Sequence, residues 1–438
     1  MSLLVLFISL MIMLLVGVPI GFAIGGATMI SMFYCTDLNM VISAQYCYSG
    51  ISSFTVMAIP FFMLAGLLMS SGGIAKRIVN VASALVDFVT GALGCVTILS
   101  CMFFGALSGS GMATASAIGG MMIPEMKKKG YDPAYAAILV CFGGIVGPII
   151  PPSLSFVLYG ATTGTSVPKL FLGGILPGIL LGLGYIALNI FICKKNGIDV
   201  SRGNKADGSY EMVPMKISLI RRLKKIFVAV KEGFWALLSP VIILGGIYSG
   251  IFTPTEAACV SVVYSAIISL FVYKEMNFKQ LLKVLIDSAV INGITSFLLG
   301  YSTVFSTFLT FEKVPQMITA LLSTVSSNKY VILFLINIFL LILGCFLDTV
   351  PAVIVVAPML FPTIKALGID PVHFGVIMAV NLAIGLCTPP YGCNLFVGAA
   401  VAKIKMQSMF KYILPFMAAS VIMLLIITYV PWLSLAFL

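Results

Sequence analysis

The chain has 438 residues, 61% of them hydrophobic and only 9% charged, with a mean hydropathy of +1.16. Soluble domains are about half apolar and a quarter charged, so this composition excludes water as the main solvent. The net charge of +11 does not signal a nucleic-acid partner, because the basic residues lie in short segments between apolar runs, where topology signals are expected.

Apolar runs recur from Leu3 onward, each long enough for a helix to cross a hydrocarbon core of roughly 30 Å. Lipid offers backbone groups no hydrogen-bond partners, so the runs are expected to be helices. The first, Leu3 to Val16, follows no basic residue and precedes no small-residue cleavage motif, so it is read as a retained first helix. Ile74 to Thr90 and Val314 to Ser327 look amphipathic and are expected to lie along the membrane interface. After the first of these, Gly91 to Leu107 leads through Ser108-Gly109-Ser110-Gly111 into Met112 to Met126. Its two arms together are too long for one crossing at 1.5 Å per residue, and a re-entrant hairpin over about 91–127 fits better. Pro133 to Thr163 is a helix broken at Gly147 to Ser153, where Pro151 and Pro152 remove two amide donors and forbid the preceding helical turn. Leu170 to Ile192 then crosses, and residues 194–232 form a basic, cytoplasmic linker. In the second half a hairpin over about 330–366, with its tip at Leu347 to Pro351, precedes a broken helix over about 371–402, interrupted from Gly385 to Asn394.

These two sets are related. At a constant offset of 238, residues 124–177 lie over 362–415 without a gap, and thirteen of 54 positions are identical. The identities include Lys127/Lys365, Gly130/Gly368, Asp132/Asp370, Gly147/Gly385 and Pro151-Pro152/Pro389-Pro390. Matched prolines and glycines fix backbone shape, so duplication is the economical explanation, with repeats at 1–193 and 233–438. Tracing the crossings outward from the linker leaves four of 25 basic residues outside (Lys169, Lys313, Lys329, Lys365) and 21 inside. Lys127 is then inside and its mate Lys365 outside, which makes the repeats inverted, as in many secondary transporters. The expected fold is an all-α, polytopic, inverted-repeat protein in which hairpins and broken helices form a mobile domain and the remaining helices a scaffold.

Unwound backbone at membrane depth is tolerated only when it is buried in protein or lines a cavity. Free carbonyls at half-helix C-termini suit Na⁺, and half-helix N-termini suit a carboxylate. Asp348 is the only carboxylate near the middle of an expected intramembrane element, and a charge there costs several kcal/mol. A small-residue packing seam at Ser108 to Gly111, simple kinks at the proline pairs and a structural Asp348 are the competing readings. The ten cysteines include no CxxC pair, so neither a disulfide framework nor a zinc site is implied. His373, the only histidine, follows the Asp370-Pro371 turn, a poor place for a proton relay. No hydrolase, metalloprotease, Walker or Rossmann motif stands in a workable context, so the chain reads as no enzyme and requires no cofactor.

The segment Gly105 to Gly111 with Ala113-Thr114, the Gly130-Tyr131-Asp132-Pro133 turn, Gly147 to Ser153, Leu386 to Asn394, and Met57 to Gly66 with its Ile59-Pro60-Phe61-Phe62 together resemble the large membrane subunit of TRAP transporters, the DctM-like family. The resemblance covers essentially the whole chain. It implies an elevator-type secondary transporter of the bacterial inner membrane, driven by Na⁺ and importing organic acids such as C4-dicarboxylates or sialic acid. It further implies a small four-helix membrane subunit, for which this chain has no room as a fusion, and a periplasmic substrate-binding protein. By position the motifs make Ser108, Gly109, Ser110, Gly111, Thr114, Gly147, Pro151, Ser153, Asp348, Thr349, Thr388, Pro389 and Asn394 candidates for substrate or cation binding, with Na⁺ at Ser108, Ser110, Gly147, Asp348, Thr349 and Thr388. A self-sufficient Na⁺/dicarboxylate symporter of the same architecture is the alternative.

Overall fold

The computed structural model describes residues 2–36, 39–86, 88–195, 202–204, 210–212, 219–325 and 328–438. In chain order the helices are α1 (Ser2–Leu15), α2 (Ile20–Cys35), α3 (Val41–Ile51), α4 (Ala58–Ser71), α5 (Ile74–Val86), α6 (Ala92–Ser108), α7 (Gly111–Lys128), α8 (Pro133–Gly144), α9 (Leu154–Thr163) and α10 (Val167–Lys195). They continue as α11 (Leu219–Tyr248), α12 (Pro254–Ile267), α13 (Phe278–Phe311), α14 (Val314–Val325), α15 (Lys329–Phe346), α16 (Thr349–Ala366), α17 (Pro371–Gly385), α18 (Cys393–Ala402), α19 (Phe410–Tyr429) and α20 (Trp432–Leu435). Among the described residues, seven helices are long and apolar enough to cross a membrane: α10, α11, α12 with its continuation to Val272, α13, α15, α16, and α19 with the turn before it.

Among the described residues the fold is all-helical apart from one short hairpin in the linker, where Arg202–Asn204 pairs antiparallel with Tyr210–Met212. The linker is also shorter than its polarity suggests, since α10 runs through Lys195 and α11 starts at Leu219. A helix closes its own hydrogen bonds whatever the solvent, so it need not stop where hydrophobicity does. Residues 196–201, 205–209 and 213–218 of the expected linker lie outside the described residues, as do Asp87, Ser326 and Ser327 of the amphipathic segments.

Helix boundaries recur at the sequence offset of 238: Gly111–Lys128 against Thr349–Ala366, and Pro133 against Pro371 as openings of α8 and α17. The shared residues build one turn twice. Gly130 (φ +81°) and Gly368 (φ +65°) take the left-handed conformation just past α7 and α16, which glycine adopts without a Cβ clash. Asp132 and Asp370 then cap α8 and α17 by accepting the amides of Ala134 (2.8 Å) and Val372 (2.7 Å), and proline opens each helix where no amide partner is needed. Asp132 also accepts from Lys411 (2.6 Å) and the Tyr412 hydroxyl (2.9 Å) at the start of α19. Burial works against its charge, but the Lys411 ammonium, the Ala134 amide and the Tyr412 hydroxyl hold its carboxyl below the usual range.

The helices pack in two groups. α1 to α4 pack with α11, α12 and α13, while α6 to α10 pack with α15 to α20. α10 and α19 therefore sit with the hairpin and broken-helix elements, not with the scaffold helices where the sequence reading placed them. The groups meet mainly where α4 crosses α6 and α13 crosses α16, and the amphipathic α5 and α14 run between them. α5 turns 69° away from α4 and buries Ile74, Ala75, Ile78, Val81 and Ala82, one face at helical spacing. Arg77 pins it: the guanidinium donates to Glu275 Oε1 (2.7 Å) and Gly73 O (2.9 Å) and lies 3.6 Å over the Tyr273 ring.

Candidate functional site

α6 and α7 are joined by only Gly109 and Ser110, and they fold back on each other, since the Thr97 hydroxyl reaches Met126 Sδ at 3.5 Å. The break is tighter than expected: Ser108 closes α6, Ser110 caps α7 and Gly111 opens it. Ser108 Oγ and Thr114 Oγ1 lie 2.8 Å apart, and Thr114 Oγ1 donates to Ser110 O at 2.7 Å. A Cβ on Gly147 would meet Thr114 Oγ1 at 2.9 Å, Ser110 O at 3.0 Å and Gly144 O at 3.2 Å. Two hydroxyls and two carbonyls therefore converge on the start of the break between α8 and α9. Such neutral hard oxygens are the donor type that Na⁺ takes. Gly109 packs on Pro152 O, and Ser153 donates to Pro148 O while capping α9.

The second tip is Leu347 and Asp348 alone, with Thr349 already in the first turn of α16. Asp348 caps that helix, accepting the Thr349 amide at 2.7 Å and the Thr349 hydroxyl at 3.4 Å. Here the two arms differ from the first pair: α15 and α16 touch only near their junction, α15 lying on α17 and α16 on α9 and α13. The break after α17 runs from Leu386 to Gly392. Thr388 donates to Ile384 O (3.0 Å) and towards Met417 Sδ (3.6 Å). The Pro151-Pro152 and Pro389-Pro390 peptide bonds are both cis. Asn394 joins the halves: its side chain donates to Cys141 O at 3.3 Å, beside Gly111.

A cavity of about 920 Å³ lies between the two tips and the first helix group. Ser108, Ser110 and Asp348 line it together, although 240 residues separate Ser108 from Asp348 in the chain. Thr114, Gly147, Ser153 and Thr349 stand behind that lining, whereas Pro151, Thr388, Pro389 and Asn394 are not brought to it. Ser70 on α4, Ser116 on α7 and Thr295 on α13 also line the cavity, and sequence reasoning missed them. Only the apolar spacing of α4 and α13 marked those helices, and nothing local distinguishes one hydroxyl on them from another. The walls are mostly apolar, and among the described residues Asp348 is the only ionisable side chain on them. The starts of α7 (Ser110, Met112, Ala113), α9 (Leu154) and α16 (Val350, Pro351) all face in, so three positive helix ends meet one carboxylate. His373, by contrast, is buried away from the cavity with Nε2 3.2 Å from Thr428 O.

The chain matches the family description "Tripartite ATP-independent periplasmic transporter, DctM component" over residues 7–433. It is 40% identical over 433 residues to the isethionate TRAP transporter permease protein DctMQ of Oleidesulfovibrio alaskensis, covering 99% of this chain and 66% of that protein. It is 38% identical to the C4-dicarboxylate TRAP transporter large permease protein DctM of Vibrio cholerae (99% and 97% covered). Identity is 36% to the sialic acid TRAP transporter large permease protein SiaM of the same organism (97% and 95% covered). In fold it is similar to the Alcanivorax borkumensis YdaH transporter, described as having an unusual topology, with a TM-score of 0.52 at 14% identity over 84% of this chain and 85% of that one.

Proposed function

The chain belongs to the family of the DctM component of tripartite ATP-independent periplasmic transporters and is a large permease subunit of that class; we propose that it imports a small organic acid coupled to Na⁺. The observation that carries the proposal is the cavity shared by both tips, where inward helix starts can receive a carboxylate while Asp348 demands a cation. With no lysine or arginine among its described lining residues, an anion entering alone would meet an Asp348 charge offset only by helix starts, whereas a co-bound Na⁺ neutralises it. Ser108, Ser110, Thr114 and Gly147 form one cation-binding group and Asp348 with Thr349 a second. The permease works with a periplasmic substrate-binding protein and a small four-helix membrane subunit. In the bacterial inner membrane the two hairpins are re-entrant, the repeats are inverted, and the group containing both tips moves past α1 to α4 and α11 to α13 as an elevator, with α5 and α14 as the arms between them.

Uptake into proteoliposomes containing this chain and its small subunit tests the proposal. An imposed Na⁺ gradient and added binding protein are both expected to be required for accumulation of the organic acid. Uptake at full rate without binding protein would replace the proposal with the self-sufficient symporter. Uptake indifferent to Na⁺ would remove the coupling.

The topology has its own test. Ser209→Cys in a cysteine-free background is expected to resist a membrane-impermeant maleimide in intact cells and to react after permeabilisation, as the 21 to 4 distribution of basic residues requires. Labelling from outside would overturn the assignment of the linker to the cytoplasm and the inversion that depends on it.

A further inference from the structure

We infer that Asn337, Asn381, His373 and Thr428 form a register clamp that positions the second tip, carrying Asp348, against the break after α17. The inference rests on the proposed cation site at Asp348. All four side chains are at least 97% buried. Asn381 Nδ2 donates to Asn337 Oδ1 at 2.8 Å, and Asn337 Nδ2 donates to Thr428 Oγ1 at 3.0 Å. The carbonyl of the same Thr428 meets His373 Nε2 at 3.2 Å, so α15, α17 and α19 are joined at one point.

The first half carries part of this joint in different chemistry. Tyr135, which the offset of 238 places over His373, donates its hydroxyl to Asn189 Oδ1 at 2.9 Å, and Asn189 Nδ2 donates to Gly91 O at 3.0 Å. That ties α8, α10 and α6, the counterparts of α17, α19 and α15. Asn189 fills the space a side chain would need at Gly94, where a Cβ would stand 2.3 Å from its Oδ1. The tie between the broken helix and the helix after it is thus present in both halves, whereas Leu99 and Gly143 stand at the positions of Asn337 and Asn381, so the link to the hairpin arm through two asparagines is particular to the half that carries Asp348.

Stability is a weak reason for such a cluster. Interhelical hydrogen bonds in membranes contribute little each, and leucines in these places would pack without needing partners. Register is a better reason, because sliding α15 along α17 orphans several buried polar groups together, each at the full cost of its desolvation. α15 needs this fixing, since it touches α16 only near their junction and finds its main packing partner in α17. Along both helices the clamp precedes the point where their backbones meet, Gly344 against Gly385, and Asp348 and the break follow directly. A slip at the clamp is therefore carried by rigid helix into the distance between Asp348 and the break.

The test separates positioning from stability. Asn337→Leu alone takes the acceptor at Oδ1 from Asn381, which keeps only Ile377 O, and the donor from the Thr428 hydroxyl, and is expected to lower the melting temperature in detergent. The pair Asn337→Leu with Asn381→Leu removes both polar groups and is expected to recover it. The clamp predicts that the recovered double variant still needs roughly tenfold more Na⁺ for half-maximal uptake, as loss of an outer-shell partner does at metal sites. A double variant with native melting and native Na⁺ dependence would overturn the inference. If the double variant does not fold, Thr428→Val decides, since it keeps the volume and loses the hydroxyl, and it is expected to raise the Na⁺ requirement in the same direction. Spin labels at Phe346→Cys and Tyr391→Cys read the geometry without reference to Na⁺: their distance distribution should shift or broaden in the clamp variants, and an unchanged distribution refutes the clamp. Wild-type uptake that ignores Na⁺ would instead refute the coupling proposal and leave the distance measurement to judge the clamp.

Discussion

Replacing Gly385 by alanine is expected to abolish uptake and most of the folded protein. A Cβ there would lie 2.4 Å from the carbonyl carbon and Cα of Gly344 and 2.7 Å from its oxygen, all of them backbone atoms. A flexible side chain could yield, but here α15 or α17 must move as a body, and overpacking of this kind costs at least about 1–3 kcal/mol even where neighbours can shift. The first half has the same contact, a Cβ on Gly105 meeting Gly147 Cα at 2.7 Å, so Gly105→Ala is expected to fail in the same way. Gly120 supplies the control. It is exposed on α7 with nothing within 4 Å of its Cβ position, and Gly120→Ala should be neutral or stabilise by about 0.5–1 kcal/mol. Size-exclusion profiles in detergent together with uptake rates check all three variants. A monodisperse, active Gly385→Ala would show that α15 and α17 do not meet as described.

The second large effect is expected at Asp348. Asparagine caps a helix about as well as aspartate, so Asp348→Asn keeps the bond from the Thr349 amide and leaves α16 intact while removing the charge. If the carboxylate serves a cation, uptake at ordinary Na⁺ should fall by an order of magnitude or more, consistent with loss of one charged ligand worth at least about 1.4 kcal/mol, and part of the rate should return at high Na⁺. Ser110→Ala is expected to act in the same direction more weakly, since Thr114 Oγ1 and the Ser110 carbonyl remain. An Asp348→Asn protein with native uptake and native Na⁺ dependence would make Asp348 a helix cap and nothing more.

Much of this was legible in the sequence because it depends on local chemistry. Composition alone required a membrane solvent, and the lack of backbone partners in lipid then required helices. The Gly130/Gly368 and Asp132/Asp370 pairs marked the same turn twice, since the left-handed glycine and the Asp-Pro cap act within a few residues of themselves. The breaks were placed to within a few residues, because proline pairs and glycines halt a helix wherever it lies. The sequence also singled out Asp348, an isolated carboxylate in apolar surroundings.

Contacts between distant segments were not legible. Polarity could not tell where α11 begins, as a helix is satisfied by its own backbone on either side of the interface. Thr388 looked equivalent to the other hydroxyls at the breaks, and only the packing shows it turned towards Met417. α10 and α19 read as ordinary spans whose company no periodicity reveals, yet Asn189 and Thr428 fasten them to the broken helices. Ser70, Ser116 and Thr295 became part of the cavity solely because α4, α7 and α13 happen to surround it. By itself the sequence determined the solvent, the helices and the places where they break, because solvation, backbone hydrogen bonding and proline sterics act over a few residues. Only the tertiary structure decided which breaks share a cavity and which helices accompany them, because those outcomes depend on packing between segments hundreds of residues apart, which no local pattern encodes.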